Sequence, residues 1–262
     1  MKQLIKKLGI TFIFFLFSIP LYPCSCAPIN LSERVGISDF IATAKIFSVK
    51  PDIKDENYHF IEIQLYNLYK GPKIKKLKIY SASMSSCSFF TEENSKWLIF
   101  ATYNKDKELV FGQCSGAIQL DRKFNVAEYP TLEQRVGESN ALKIGVLRVL
   151  KNHSIQHTNE ANLGFLISKD AIDSLKGFSG KNKDFSIYEY TLNENLSISS
   201  IKVLKSFKNA KLSKKHLEVA TNTIRITPPK TKMIPQGTKF YLISYFYPEE
   251  ENNESFISTY DL

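Results

Sequence analysis

The chain has 262 residues, of which 43% are hydrophobic, 13% aromatic and 23% charged. This composition, with a mean hydropathy of −0.19, is typical of a soluble globular protein and excludes both intrinsic disorder and a multi-span membrane fold. The net charge of +9 is spread over the chain, with +3 in residues 1–23, +2 in residues 24–130 and +4 in residues 131–262. A protein that tracks phosphates would concentrate its Lys and Arg, so we expect no nucleic-acid partner.

The first 23 residues have the pattern of an export signal. A basic segment with three lysines precedes an apolar run from Leu8 to Ile19, which is shorter than the roughly 20 residues that a membrane-spanning helix needs. We therefore predict a signal peptide over residues 1–23 and a secreted, extracellular or cell-envelope location (the periplasm or outer surface if the host is bacterial). Tyr22 and Pro23 are not the small residues that a signal peptidase prefers, so the cleavage site stays open. A retained membrane anchor and lipidation of Cys24 are the alternatives.

Four cysteines follow the predicted signal peptide: Cys24, Cys26, Cys87 and Cys114. An even number of cysteines in an exported chain favours disulfide bonds. A bond between Cys24 and Cys26 would close a ring over one intervening residue, which disulfide geometry disfavours. Two long-range connectivities remain open, and either one fixes the start of the mature chain with about 4 kcal/mol per bond. The alternative, a metal site on the thiolates of Cys24-Ser25-Cys26, requires a reducing compartment.

Strand patterns begin at residue 40. In the second of them Ile61, Ile63 and Leu65 alternate with polar residues, which is typical of a half-buried strand. The five predicted strands are Phe40–Val49, Tyr58–Tyr69, Ile74–Ser81, Trp97–Tyr103 and Leu109–Gln113. Five strands with short loops and no interleaved helices predict an all-β domain over residues 24–130, a closed barrel of the size of an OB-fold.

In residues 131–158 the strand pattern gives way to a different spacing of apolar residues. Apolar residues recur there at roughly helical spacing, so we predict a helix over residues 131–152 that packs against the barrel and links it to the rest of the chain. His153 and His157, four residues apart at its end, could place two imidazoles on one face as metal ligands. Because no third ligand or Glu general base accompanies them, we favour a solvated helix end.

The remaining residues, 159–262, repeat patterns of the first half. The three correspondences pair Ile63-x-Leu65-x-x-x-Tyr69-Lys70 with Ile201-x-Val203-x-x-x-Phe207-Lys208, Leu77-x-Ile79-x-Ser81 with Leu217-x-Val219-x-Thr221, and Trp97-Leu98-Ile99 with Tyr241-Leu242-Ile243. They predict a second β-rich domain, a degenerate and OB-like repeat of the first, although generic strand patterning would give the same matches.

The N-terminal half also carries motifs of a known family. They are Cys24-Ser25-Cys26 after the predicted signal peptide, Ser38-Asp39-Phe40-Ile41-Ala42 at the start of the first strand, Tyr69-Lys70-Gly71 at the end of the second, Cys87, the strand Trp97-Leu98-Ile99-Phe100-Ala101, and Cys114. With these motifs, residues 24–125 resemble the N-terminal domain of the tissue inhibitors of metalloproteinases and their netrin-module relatives. The third disulfide of that domain and the cysteine-rich C-terminal domain of the inhibitors have no counterpart in this sequence.

The resemblance implies a fold, a disulfide pairing and a mode of action. The fold is an OB-type barrel, and the pairing joins Cys24 to Cys87 and Cys26 to Cys114. The α-amino nitrogen and carbonyl oxygen of Cys24 would chelate the catalytic zinc of a metalloprotease partner, while the chain itself would hold no cofactor or metal. A catalytic zinc keeps one position open, and an α-amino group with a pKa of about 8 loses its proton readily on binding.

The resemblance also assigns three serines to the contact with the protease. Ser25 would point into the specificity pocket, and Ser85 and Ser86, just before Cys87, would form the supporting loop. If any residue remained ahead of Cys24 after processing, chelation would be abolished, because the amine would then be part of a peptide bond.

Catalysis is not expected. The sequence has four scattered histidines and lacks the G-x-S-x-G and H-E-x-x-H motifs and a phosphate-binding glycine loop. Two non-enzymatic functions remain: inhibition of a zinc metalloendopeptidase, and a netrin-type extracellular or cell-envelope binding or scaffold module without inhibitory activity. N-terminal sequencing of the exported protein separates them, since only a chain that starts at Cys24 can chelate zinc.

Five lysines crowd the hairpin that follows the second predicted strand. They are Lys70, Lys73, Lys75, Lys76 and Lys78. Such a cluster could attract an acidic glycan or a membrane surface, but we favour charges that protect an edge strand and a solvated turn.

Overall fold

The computed structural model describes the chain from Cys24 onward, apart from a few short gaps. The described residues are 24–125, 127–180, 182–228, 233–250 and 253–260. The predicted signal peptide, residues 1–23, lies outside them. Within these ranges, no helix combines the length and the apolar character that crossing a membrane requires.

Five strands close into a barrel, as the sequence predicts. They are β1 (Phe40–Pro51), β2 (Tyr58–Lys70), β3 (Lys76–Tyr80), β4 (Lys96–Tyr103) and β5 (Leu109–Gly112). Their order is β1-β2-β3-β5-β4, and β1 also pairs with β4, which closes the sheet. The β3–β5 pairing is parallel and the other pairings are antiparallel. The OB-like barrel is therefore confirmed, and a short strand β6 (Ile118–Gln119) extends it beside β4.

Strand β1 pairs with both β2 and β4, and the first half of its sequence is suited to burial on both faces. Phe40, Ala42 and Ala44 belong to the hydrophobic cluster inside the barrel, where the two small alanines leave room for the opposite wall. Ile41 faces the other way and packs against the helices outside. Because both faces of this half of the strand are buried, it reads as a nearly continuous apolar run.

A short helix, α1 (Leu31–Ile37), precedes the barrel and was not predicted. It begins with a capping box, in which the Asn30 side chain accepts a hydrogen bond from the Glu33 amide and the Glu33 carboxylate accepts one from the Asn30 amide. Its buried face, Leu31 and Val35, packs on the outside of the barrel. The spacing of Asn30 and Glu33 was the sequence signal that could have revealed this helix.

The packing helix is α2 (Leu132–Asn152), one residue shorter at its start than predicted. Its buried side chains Leu142, Val146 and Leu147 belong to a hydrophobic cluster that also contains barrel residues such as Phe100 and C-terminal residues such as Ile187. The predicted link between the two halves of the chain is thus the centre of a core that both halves share.

The C-terminal half consists of an antiparallel sheet, a two-stranded ribbon and two helices. In chain order the elements are β7 (Gly164–Leu166), α3 (Lys169–Asp173), β8 (Asp184–Leu192), β9 (Ile198–Lys205), α4 (Ala210–Asn222), β10 (Arg225–Thr227), β11 (Thr238–Tyr247) and β12 (Phe256–Ser258). The sheet has the order β12-β11-β8-β9, and β7 pairs with β10.

The two central strands of the C-terminal sheet, β8 and β11, are buried on both faces. Ile187 and Ile243 lie on the face that packs against α2. Tyr188 and Leu242 lie on the opposite face, which α4 and the ribbon cover. Alternate residues of β8 and β11 therefore serve two different cores.

The structure corrects the expected repetition of the barrel. Among the described strands, the C-terminal sheet is open, with β9 at one edge and β12 at the other. The segment from Leu217 to Thr221, which the sequence matched to strand β3, lies in helix α4. Its buried residues follow the three-to-four-residue spacing of a helix, with His216 and Val219 inside and Leu217 exposed. Generic apolar alternation produced this match.

Candidate functional site

Two disulfide bonds fix the start of the described chain. Cys24 is bonded to Cys87 in the loop between β3 and β4, and Cys26 is bonded to Cys114 in a single 3-10 turn, Gln113–Ser115, after β5. This is the pairing that the family resemblance implies, and the other long-range connectivity does not occur. The bonds span 63 and 88 residues of chain, so the N-terminal tip, residues 24–27, is attached to two separate parts of the barrel.

The main chain of Cys24 is also held by a serine. The Cys24 nitrogen donates a hydrogen bond to the Ser86 hydroxyl at 3.0 Å. The Ser85 hydroxyl accepts a hydrogen bond from the Cys87 nitrogen at 3.1 Å and donates one to the Ala82 carbonyl at 2.8 Å. The structure thus brings both predicted serines to the disulfide, with Ser86 at the Cys24 nitrogen and Ser85 inside the loop.

The tip presents small and apolar side chains to solvent. Ser25 lies between the two disulfides with an exposed side chain. In the neighbouring loop Met84 is fully exposed, and Phe90 at the end of that loop is 60% exposed. Residues 25–27 of the tip are thus exposed, and the neighbouring loop adds exposed apolar side chains of a kind that binding surfaces use.

The β3–β4 loop has its own internal support. The hydroxyl of Ser81, which is fully buried at the end of β3, lies 2.6 Å from Nδ1 of His59 on β2. The Ser88 hydroxyl donates to the Ser85 carbonyl at 2.7 Å. Ala82 and Met84 adopt left-handed backbone angles, with φ of 45° and 64°, which tighten the turn. These hydrogen bonds order the loop, and the Cys24–Cys87 bond attaches the tip to it.

Helix α1 anchors the segment that follows the tip. The buried Lys70 ammonium donates to the Val35 carbonyl at 2.8 Å, and the Thr158 hydroxyl donates to the Ser32 carbonyl. Burial holds the pKa of Lys70 below its usual value, while the charges of Asp39 and Glu160 oppose this shift. Since Lys70 comes from β2 and Thr158 follows α2, α1 is tied to two separate parts of the fold.

Arg34 of α1 reaches the second disulfide. Its guanidinium donates to the Ser115 carbonyl beside Cys114 and lies over the ring of Phe100, 5.7 Å from the centroid. Gly116, with φ of +79°, leaves the space that this guanidinium occupies. No sequence pattern predicts this contact, because the two residues are 81 positions apart in the chain.

An apolar hollow of about 510 Å³ adjoins the tip. The Cys24–Cys87 bond forms part of its wall, together with Ile37, Tyr80 and Val110. Ile37 is 61% exposed even though it ends a helix that is otherwise well packed. Because Cys24 belongs to its lining, the hollow lies directly beside the tip.

The predicted basic hairpin is not a coherent patch. Lys70 is buried under α1, Lys76 pairs with Glu62, and Lys78 bridges Asp52 and Glu108 at 2.9 and 2.8 Å. This leaves Lys73 and Lys75 as the exposed members without a described ion pair. Two isolated lysines are ordinary protein surface.

The two histidines after α2 line an open groove of about 840 Å³ together with Glu160 and Glu189. Nδ1 of His153 lies 3.0 Å from the Val149 carbonyl in the last turn of α2, so this ring closes the helix end. Among the described residues, no three His, Cys, Asp or Glu side chains are placed to hold a metal ion together.

No protein-family model matches this chain, and no curated protein matches its sequence. The function is therefore inferred from the sequence motifs and from the geometry of the N-terminal tip.

Proposed function

We propose that this protein is an exported inhibitor of a zinc metallopeptidase and that it acts through the main chain of Cys24. The observation that carries the proposal is the fixation of the partly buried Cys24 at the start of an exposed tip, by its bond to Cys87, by the neighbouring Cys26–Cys114 bond and by Ser86. A chain end normally frays, and the double attachment keeps this one in a single position.

The chemistry assigned to Cys24 uses its backbone only. Its sulfur is committed to a disulfide, so the ligands offered to a metal are the α-amino nitrogen and the carbonyl oxygen. The open position of a catalytic zinc accepts such a bidentate ligand in place of water. Export and removal of residues 1–23 would free the amine, and Ser86 at 3.0 Å would orient it.

Rigidity favours this mode of binding. Internal hydrogen bonds order the loop that contains Ser85 and Ser86, and Lys70 of β2 holds helix α1, so little conformational entropy remains to be lost in a complex. Ser25 is small and exposed, and it would enter the pocket next to the zinc. Met84 and Phe90 would contact the rim of the protease cleft.

Two versions of the mature protein test the proposal. One starts at Cys24, and its matched control carries a single additional Ala before Cys24. Each is titrated against a panel of zinc endopeptidases with a fluorogenic peptide, and a serine protease serves as the specificity control. We expect inhibition of at least one zinc enzyme by the first version and a loss of at least 100-fold in the second, because the amide nitrogen of the extended chain cannot ligate zinc.

Thermal unfolding of the two versions should agree, since the extra residue lies outside the disulfides. Equal inhibition by both versions would contradict chelation by the amine. If neither version inhibits any zinc enzyme of the panel, the inhibitor proposal fails and the binding-module function takes its place. N-terminal sequencing of the exported protein gives an independent check, because a start upstream of Cys24 is incompatible with the mechanism.

A further inference from the structure

A further cavity lies in the C-terminal half, on the far side of the sheet from α2. It has a volume of about 240 Å³, is partly open to solvent, and is lined by the ribbon, by α3 and α4 and by strands β11 and β12. Its walls are mostly apolar and include Phe165, Ile172 and Leu242. An apolar cavity of about 150 Å³ in another protein stays dry and binds benzene, so this one is large enough for a small ring.

Four polar residues interrupt this apolar lining; Ser258 and Thr259 are partly exposed, and the other two are buried. His216 of α4 and Ser244 of β11 both line the cavity, and they are 3% and 1% exposed. Ser186 is the cross-strand partner of Ser244 and is fully buried, and its hydroxyl lies 3.3 Å from Nδ1 of His216. Nδ1 is thereby engaged, and Nε2 is the ring nitrogen left for another partner. Burying a polar group costs free energy unless a hydrogen bond compensates for the lost contact with water.

We propose that this cavity binds a small neutral ligand with an apolar body and one hydroxyl group. The body would fill the space between Phe165, Ile172 and Leu242, and the hydroxyl would meet His216 and Ser244. A hydroxyl both donates and accepts, so it fits either tautomer of the imidazole. Such a site gives the C-terminal half a binding function of its own, independent of the N-terminal tip.

The same surroundings argue against a charged ligand. Burial lowers the pKa of His216 to about 4, so its ring is neutral near pH 7 and offers no countercharge. Tyr188 and Phe207 flank the ring at centroid distances of 4.9 and 5.1 Å, which completes an apolar environment. A carboxylate in this cavity would lose its hydration without gaining an ion pair.

Three ligands with the same ring and different heads test the proposal on the full mature chain: benzene, phenol and benzoate. Binding is measured by calorimetry at pH 7 and by the shift in melting temperature. We expect phenol to bind saturably and about fivefold more tightly than benzene, because it adds one neutral hydrogen bond, and we expect no saturable binding of benzoate. Absence of saturable phenol binding, or benzoate binding as tight as that of phenol, would overturn the proposal.

Two variants and one control locate the site. Ile172→Trp, at the partly exposed rim, should close the cavity and abolish phenol binding without altering its interior. Leu166→Trp, on the ribbon but outside the cavity lining, should leave binding unchanged. His216→Phe should remove the preference for phenol over benzene. Phenol binding that persists in the Ile172→Trp variant would place the ligand elsewhere and refute the assignment.

Discussion

The burial of His216 makes the stability of the fold depend on pH. Its pKa falls from 6.5 to about 4 because the ring is desolvated, so the unfolded chain takes up a proton at a higher pH than the folded one. Stability contributed by the neutral ring is therefore complete above about pH 6.5 and is lost as the pH falls toward 4. The expected loss is about 3 kcal/mol, measured by urea unfolding at pH 7 and pH 4.

Other groups titrate in the same range, so the variant His216→Phe supplies the comparison. Its ring fits between Tyr188 and Phe207 and cannot be protonated. The difference in stability between the two pH values should be about 3 kcal/mol smaller in this variant than in the parent. A variant with the same pH dependence as the parent would show that His216 is not held neutral in the fold. His157→Gln, at an exposed position, serves as the control and should behave like the parent.

Asn30 is the N-cap residue of helix α1, which follows the disulfide-bonded tip. Its side chain accepts from the Glu33 amide at 2.8 Å, which satisfies a backbone donor that the helix itself cannot pair. Asn30→Ala should lower the free energy of unfolding by about 1 kcal/mol in a denaturant titration. Ser32→Ala, in the same turn but with no described side-chain hydrogen bond, should change it by less than about 0.5 kcal/mol. Equal effects would indicate that the cap contributes nothing.

Two glycines, one in the turn beside Cys114 and one in helix α2, should respond in opposite ways to substitution by alanine. A Cβ on Gly116 would lie 1.9 Å from Nη1 of Arg34, and its φ of +79° disfavours any other residue. A Cβ on Gly137, in an exposed turn of α2, would meet nothing within 4 Å. We expect Gly116→Ala to cost about 1–2 kcal/mol and Gly137→Ala to add about 0.5–1 kcal/mol. Denaturant titrations of the two variants should move in opposite directions from the parent.

Some elements were predictable from the sequence because their pattern is local. The alternation of Ile61 and Ile63 against polar neighbours places strand β2 within one residue of its observed end. The same kind of alternation at Leu217 and Val219 misled the prediction, because α4 buries residues at helical spacing on only one side. A short alternating stretch fits either period, and tertiary packing decides between them.

The candidate site was predictable only in part, for a related reason. The cysteines, Ser25 and the two loop serines follow one another in recognisable motifs, so the resemblance could point to them. Lys70 and Arg34 support the same tip through contacts that are 35 and 81 residues apart in sequence. A local sequence pattern does not predict which backbone carbonyl accepts a hydrogen bond from a lysine or arginine far away in the chain. The cavity beside His216 likewise exists only where the ribbon, two helices and the sheet meet.

Helix α2 makes the barrel and the C-terminal sheet depend on each other. Leu147 of α2 is 2% exposed and shares a cluster with Phe100 of the barrel and Tyr245 of β11. A core of this kind predicts a single cooperative unfolding transition in spite of the two sheets. Two probes can follow the halves separately: the fluorescence of Trp97, the one tryptophan of the chain, and amide exchange of the peptide that contains β8.

Leu147→Ala should lower the free energy of unfolding by about 2–5 kcal/mol, because it leaves a void between the two halves. Both probes should report the same decrease, since the lost contacts belong to both sheets at once. Arg148→Ala, the neighbouring exposed residue, should shift neither probe by more than about 0.5 kcal/mol. If Leu147→Ala moved the transition of Trp97 and left β8 unchanged, the two halves would be independent domains that only touch at α2. Coincident shifts would instead mean that the tip of the barrel owes part of its rigidity to the C-terminal sheet.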